Sequence, residues 1–320
     1  MSSATLVPET RGLTGDDAWA VLKRTGWGRL AKDAFTRMRV ADGFSHARSL
    51  AFMITFVAIE GLIGMVGLAS VVHKGGVSAT IDAAVRRIVP GPAGNVLTTA
   101  VTQAHRVVAE HHYGALLFGV LGALVVGTTA MGQLERGLNR IYGVEQDRPT
   151  LKKYGLGFCF ALSVGTLVVA SFVSLAFGGD LFSSIHNHAF TSVWTVVRWP
   201  LGVSLTAIAV TVLFRWSPRR RQPGLSWLAF GSGISVFLWG LSTIGLGLFY
   251  GSSSSFGATY GPLAGVIALL VWSLLSSISL FYGAAVAAQL EGLRTGASTP
   301  QDAVKVAESR PVSETRLEAS

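Results

Sequence analysis

An uncharged run from residue 261 to residue 288, GPLAGVIALLVWSLLSSISLFYGAAVAA, constrains this chain more than any other feature. As an α-helix it would extend about 42 Å, beyond the roughly 30 Å hydrocarbon core of a bilayer. It therefore reads as a membrane-spanning helix. Helical spacing sets Gly261, Gly265, Ala268, Trp272, Ser276, Ser279, Gly283 and Ala287 along one face. Small residues let neighbouring backbones approach closely, which is how helices pack where lipid removes the hydrophobic drive between them. Gly261, Gly265 and Gly283 are the expected packing points.

Five further apolar runs precede it, at 49–72, 113–131, 155–178, 193–214 and 225–249. The predicted fold is all-α: an integral membrane bundle of six transmembrane helices, with an N-terminal amphipathic helix at the interface and short outer helices between the first two spans. Composition agrees, since mean hydropathy is +0.50 and only 13% of residues are charged, about half the usual share of soluble domains. Basic residues crowd alternate connections. Arg136, Arg140, Arg148, Lys152 and Lys153 follow the second span, Arg215, Arg219, Arg220 and Arg221 follow the fourth, and residues 179–192 and 250–260 have no Lys or Arg. By the positive-inside rule both termini are then cytoplasmic.

Three parts are expected: a tail over 1–48 with a basic amphipathic helix, a six-helix membrane domain over 49–292, and a disordered cytoplasmic tail over 293–320. Residues 1–14 are polar and expected to be loose. Between 16 and 41, Trp19, Leu22, Trp27, Leu30, Ala34 and Met38 recur at helical intervals while Lys23, Arg24, Arg29, Lys32, Arg37 and Arg39 largely face elsewhere. Such a helix either lies in the membrane interface or packs on the end of the bundle; the spacing allows both. No signal-peptide core precedes residue 48, so the first span serves as its own insertion signal. The segment 73–112 is long for a bare connection and suggests two outer helices, at 78–89 and 95–110, broken at Pro90-Gly91-Pro92. Residues 252–255 read as a flexible linker or a polar outer turn before the last run.

The net charge of +9 raises nucleic acid as a partner. Most basic residues flank apolar runs, however, so membrane lipids with anionic headgroups are the expected partner and nucleic acid is not. A homo-oligomer is compatible with the sequence. Cys159 is the only cysteine, which leaves no intramolecular disulfide and no Cys-based metal cluster. His105, His111, His112, His186 and His188 lack the spacing of a metal site. Neither a nucleophile elbow nor a phosphate or dinucleotide loop appears, so no cofactor, metal or catalytic residue is assigned.

Three sets of polar residues stand out. Glu60 lies midway along the first span, where an ionised carboxylate costs roughly 2.5 to 3.5 kcal/mol. It is a proton or cation site, or a polar point in a substrate path; otherwise it is a protonated structural acid. Arg198 near the outer end of the fourth span either joins such a path or snorkels to headgroups. The segment MGQLERGLNRIYGV places Gln133, Arg136 and Arg140 on one helical face and Glu135 with Asn139 on another. These five form either a fixed cluster closing the cytoplasmic mouth or a solvated helix end.

Three blocks carry a family resemblance: QLERGLNRIYG (133–143) with Arg148, Lys152 and Lys153; Arg198-Trp199 leading to Phe214-Arg215, Pro218 and Pro223-Gly224; and Tyr260-Gly261-Pro262 through Trp272 and Gly283-Ala284 to Gln289-Leu290-Glu291. In this order they resemble the YihY/BrkB family of bacterial inner-membrane proteins, formerly called ribonuclease BN, over about residues 35–292. The resemblance implies a six-helix bundle in the bacterial plasma membrane, loosely associated with the envelope and lipid export. The expected function is movement or handling of a lipid or amphiphile. A non-transporting scaffold or assembly factor is the alternative. A ribonuclease fits less well, because phosphodiester hydrolysis needs converging metal-binding carboxylates and histidines.

Overall fold

The computed structural model describes residues 3–71, 85–86, 88–110, 112–176, 188–253, 260, 263–297 and 300. Among these the chain is helical, with no strand. In chain order the helices are α1 (Gly15–Thr25), α2 (Trp27–Val40), α3 (Gly43–Val71), α4 (Gly91–Glu110), α5 (His112–Tyr142), α6 (Thr150–Ala176), α7 (His188–Trp216), α8 (Leu225–Ser252) and α9 (Ala264–Thr295). Six of them, α3 and α5 to α9, are long and apolar enough to cross a membrane. They close a ring: α3 packs on α5, α5 on α6, α6 on α7, α7 on α8, α8 on α9, and α9 returns to α3.

The outside of this ring is apolar. Phe118, Val125, Val196, Phe237 and Leu248 are each at least two-thirds exposed, and soluble monomers rarely present a continuous surface of that kind. Inside, backbones come close where side chains are absent. A Cβ on Gly119 of α5 would overlap the backbone of Gly64 and Ile63 on α3. On α9, Gly265 rests against Pro92 and Val96 of α4, and Gly283 against Gly231 and Ser235 of α8. Gly261 lies outside the described residues.

Two apolar cores fill the ring unequally. The larger gathers Leu134, Leu138, Phe160, Leu213, Phe214, Trp227, Leu228 and Phe281 from all the spans between α5 and α9, together with Leu30 and Met38 of α2. It occupies one end of the bundle, where the connections 143–149 and 217–224 and the end of α9 meet; this is the basic end. The other core, with Leu62, Val66, Ala93, Leu97, Val101, Ala268 and Leu269, joins α3, α4, α9 and the residues before α4, with Tyr250 of α8 packed against it, among the described residues.

Several expectations change here. Residues 3–14 are not loose. They form a strap across the basic end, with Ser3, Ala4 and Val7 buried, the Ala4 amide donating to the Arg140 carbonyl at 3.1 Å and the Val7 amide to the Tyr142 carbonyl at 3.1 Å. Gly143 permits this crossing: its φ is +79°, and a Cβ there would strike the backbone of Leu6. The single helix expected over 16–41 is two, because Gly26 at φ +80° ends α1 before α2 begins. Both pack on the bundle, α1 against α8 and α2 against α9. Its expected apolar face is also divided, since Leu22, Leu30, Ala34 and Met38 are buried while Trp19 and Trp27 remain about half exposed.

Between the first two spans, α4 starts at Gly91, one turn before the expected 95, with Pro92 in a first turn that needs no amide from it. Instead of lying over the outer face it buries Ala93, Leu97 and Val101 against α3 and α9. The expected helix at 78–89 falls mostly outside the described residues, as do Ser254, Ser255, His111, His186 and all of the C-terminal tail from 301.

Candidate functional site

At the basic end α5 continues past its apolar stretch, so QLERGLNRIY forms its last three turns. Glu135 and Asn139, four residues apart, both turn inward and are buried. Arg148 Nη1 lies 3.2 Å from Glu135 Oε1. The Arg148 guanidinium also donates to the carbonyls of Trp216 at 3.3 Å, Ser217 at 2.5 Å and Pro218 at 2.9 Å. Trp216 is the last residue of α7 and Ser217 and Pro218 follow it, so the guanidinium serves as a cap where the helix has no further donor.

Asn139 works in both directions: its amide donates to Asp147 Oδ1 at 3.1 Å, and its oxygen accepts the Arg219 amide at 2.8 Å. Asp147 further receives Lys153 Nζ at 3.3 Å and lies 3.6 Å from Arg136 Nε. Partial burial pushes the Asp147 pKa up, but the Asn139 hydrogen bond and the Lys153 charge outweigh it, and the carboxyl is held below its ordinary value. Arg140 donates to the carbonyls of Val144 and Glu145, and Arg215 to those of Gln222 and Pro223. The structure therefore joins Glu135, Arg136, Asn139 and Arg140 into one network that ties 143–149 to 217–224. Gln133, half-buried on the Arg136 face, makes no hydrogen bond in it among the described residues.

A second buried group lies beside the first, and the spacing argument assigned it no role. Glu291 near the end of α9 is fully buried. It accepts Arg220 Nη2 at 2.8 Å and Nη1 at 3.1 Å, the Thr10 hydroxyl at 2.6 Å and the Thr10 amide at 3.2 Å. The Arg220 guanidinium lies 4.6 Å from the centre of the Tyr142 ring and reaches the strap carbonyl of Pro8. Arg37, expected among outward-facing charges, is fully buried instead. Its Nε donates to Gln289 Oε1 at 2.9 Å, and its Nη1 to the Thr5 and Ile141 carbonyls at 3.1 Å each. Burial pulls the Arg37 pKa down to about 10, still high enough to keep its charge at neutral pH. A signal existed for Arg37: it falls within the stripe Leu30, Ala34, Met38.

Glu60 and Arg198 are not brought together; no ion pair joins them among the described residues. Glu60, half-buried near the middle of α3, presses on α5, where a Cβ on Gly122 would sit 2.7 Å from Glu60 Oε2. Its carboxylate has no hydrogen bond or cation among the described residues. Arg198 on α7 has Nε and Nη1 buried without an acceptor among the described residues, with its guanidinium 5.5 Å from the Trp199 ring. The Arg198 carbonyl accepts the Ser174 hydroxyl at 3.2 Å, fastening α6 to α7.

Comparison with known proteins accords with this architecture. Residues 34–308 match the family described as virulence factor BrkB. The ribonuclease-like protein YfkH of Bacillus subtilis (strain 168) is 23% identical over 264 residues, covering 81% of this chain and 94% of that protein. A UPF0761 membrane protein of Halorhodospira halophila is 27% identical over 188 residues, covering 55% of this chain and 39% of the relative; for one from Azoarcus sp. (strain BH72) the figures are 27% over 250 residues, 76% and 59%. The chain thus spans 39% and 59% of the length of these two UPF0761 relatives. No solved structure matches. With six apolar helices in a ring and this match over most of its length, the chain belongs to the BrkB family of membrane proteins.

Proposed function

We propose that this protein moves a lipid or other amphiphile across the bacterial inner membrane, along a path that passes Glu60. The observation that carries this reading is the isolation of the Glu60 carboxylate in the middle of a span. A charge there costs roughly 2.5 to 3.5 kcal/mol by insertion scales, and no cation or hydrogen-bond donor among the described residues offsets it. Intramembrane acids of this kind mark ion or substrate pathways. The half of the ring away from the basic end has, among the described residues, its core around α3, α4 and α9 with Tyr250 of α8 against it. Arg198 would then meet an anionic headgroup at that end, beside the exposed ring of Trp199.

Both termini are assigned to the cytoplasm on the positive-inside argument. Lys23, Arg24, Arg29, Lys32 and Arg39 are exposed on α1 and α2 beside the exposed rings of Trp19, Trp27 and Phe35. That combination suits an anionic leaflet.

Vesicles reconstituted with the purified protein and a fluorescent phospholipid, bleached from outside, test the transport reading. Wild type should expose inner-leaflet lipid to the quencher. Glu60→Gln should lose most of that flux while keeping its thermal midpoint; equal flux from the variant would remove Glu60 from the path.

A second reading, a scaffold without transport, is favoured by the dense network at the basic end, and under it Glu60→Gln is silent. Nuclease action, suggested by the name of YfkH and by the older name of the resembled family, finds no group of three or more His, Cys, Asp or Glu side chains placed to hold a metal among the described residues.

A further inference from the structure

Beside the Arg220–Glu291 pair, five buried polar atoms lack a hydrogen bond of good geometry among the described residues: Arg37 Nη2, Arg220 Nε, Tyr142 Oη and the amide oxygen and nitrogen of Gln222, of which the last three have at most a weak contact between Gln222 and the Tyr142 hydroxyl. Their side chains surround one another. Arg220 lies over the Tyr142 ring, Gln222 faces the Tyr142 hydroxyl, and Arg37, Arg220 and Glu291 all act on that hydroxyl electrostatically. Four of the five atoms can donate, so donors outnumber acceptors. Charge is unbalanced too, with two guanidinium groups against the single carboxylate of Glu291. Asp33, one turn before Arg37, is engaged at 3.8 Å by Arg29.

Buried donors on charged groups are costly to leave unmade, and an uncompensated buried charge costs several kcal/mol. Water would satisfy the hydrogen bonds but not the charge. An anion does both. Arg37, Arg220 and Tyr142 are almost completely buried, so an anion reaching them must be small, which disfavours a lipid phosphate or a peptide carboxylate with its attached chain. We propose that Arg37, Arg220, Tyr142 and Gln222 bind a small monovalent inorganic anion of the chloride class. The same two arginines hold the strap carbonyls of Thr5 and Pro8, so anion binding fastens the strap to α5, α9 and the 217–224 connection.

The test uses the full chain in neutral detergent, dialysed into sodium gluconate and then titrated with sodium chloride at constant ionic strength. A ligand that binds only the folded state raises the unfolding midpoint as it saturates. Wild type should show such a rise with chloride and with bromide. Gln222→Leu, which keeps both charges and removes one donor, should need roughly tenfold more chloride for the same rise, as expected for losing one hydrogen bond to a charged group. If Gln222→Leu does not fold, Tyr142→Phe makes the same comparison. Identical midpoints in chloride and gluconate, or a variant titrating like wild type, would overturn the proposal.

Discussion

Glu291 shows how much a single side chain can carry when it is fully enclosed. Both its oxygens are used, by Arg220 and by Thr10, so replacing it with Ala strands a buried guanidinium. Removal of one partner from a buried pair typically costs about 3 to 5 kcal/mol. Thermal unfolding in detergent should show that loss for Glu291→Ala, and a much smaller one for the double change Arg220→Met with Glu291→Leu. The glycines divide in the same way by what they touch. Gly283→Val should destabilise by about 1 to 3 kcal/mol through overpacking, because even its Cβ overlaps Ser235 and Gly231, whereas Gly240→Ala meets nothing within 4 Å and should leave the midpoint at or above wild type. A Gly283→Val protein as stable as wild type would mean that α8 and α9 are not so closely pressed.

Among the elements, the strap and the 143–149 connection tie helices together at the basic end. Thr10 gives the strap its tie to α9 through two hydrogen bonds to one carboxylate oxygen. Thr10→Val should keep the backbone bond, lose the hydroxyl bond and make the N-terminal segment more accessible to a protease added on that side; unchanged cleavage would show that the tie is not limiting. Asp147 sets an acid dependence. Its folded pKa lies below the ordinary 3.8, so its stabilisation is present above that value and is lost as pH falls through the lower folded one. Asp147→Asn should therefore reduce stability at neutral pH and flatten the acid limb of an unfolding profile. Much of this was hidden in sequence. The Glu135 and Asn139 face was legible because residues four apart on a helix are neighbours, but their partners Arg148, Asp147 and Arg219 come from two connections whose paths no periodicity encodes.

For the whole molecule, the proposed orientation puts the residues before α3 and those at the end of α9 on one side of the membrane. In a Cys159→Ser background, an impermeant maleimide applied to intact cells should label Gln103→Cys on α4, and should label Asp16→Cys on α1 only after permeabilisation. The reverse pattern would invert the proposed orientation. What the sequence determined by itself was the set of spans, the basic end and the close packing at Gly265 and Gly283, since length, hydropathy and helical spacing are local properties fixed by the solvent a helix must meet. Only the tertiary structure decided that Arg37 points inward, that residues 3–14 form a strap and that Arg220 pairs with Glu291. Thr10 and Glu291 are 281 residues apart, and a buried charge takes whichever partner the closed ring delivers to it, a choice made by the packing of all the helices together.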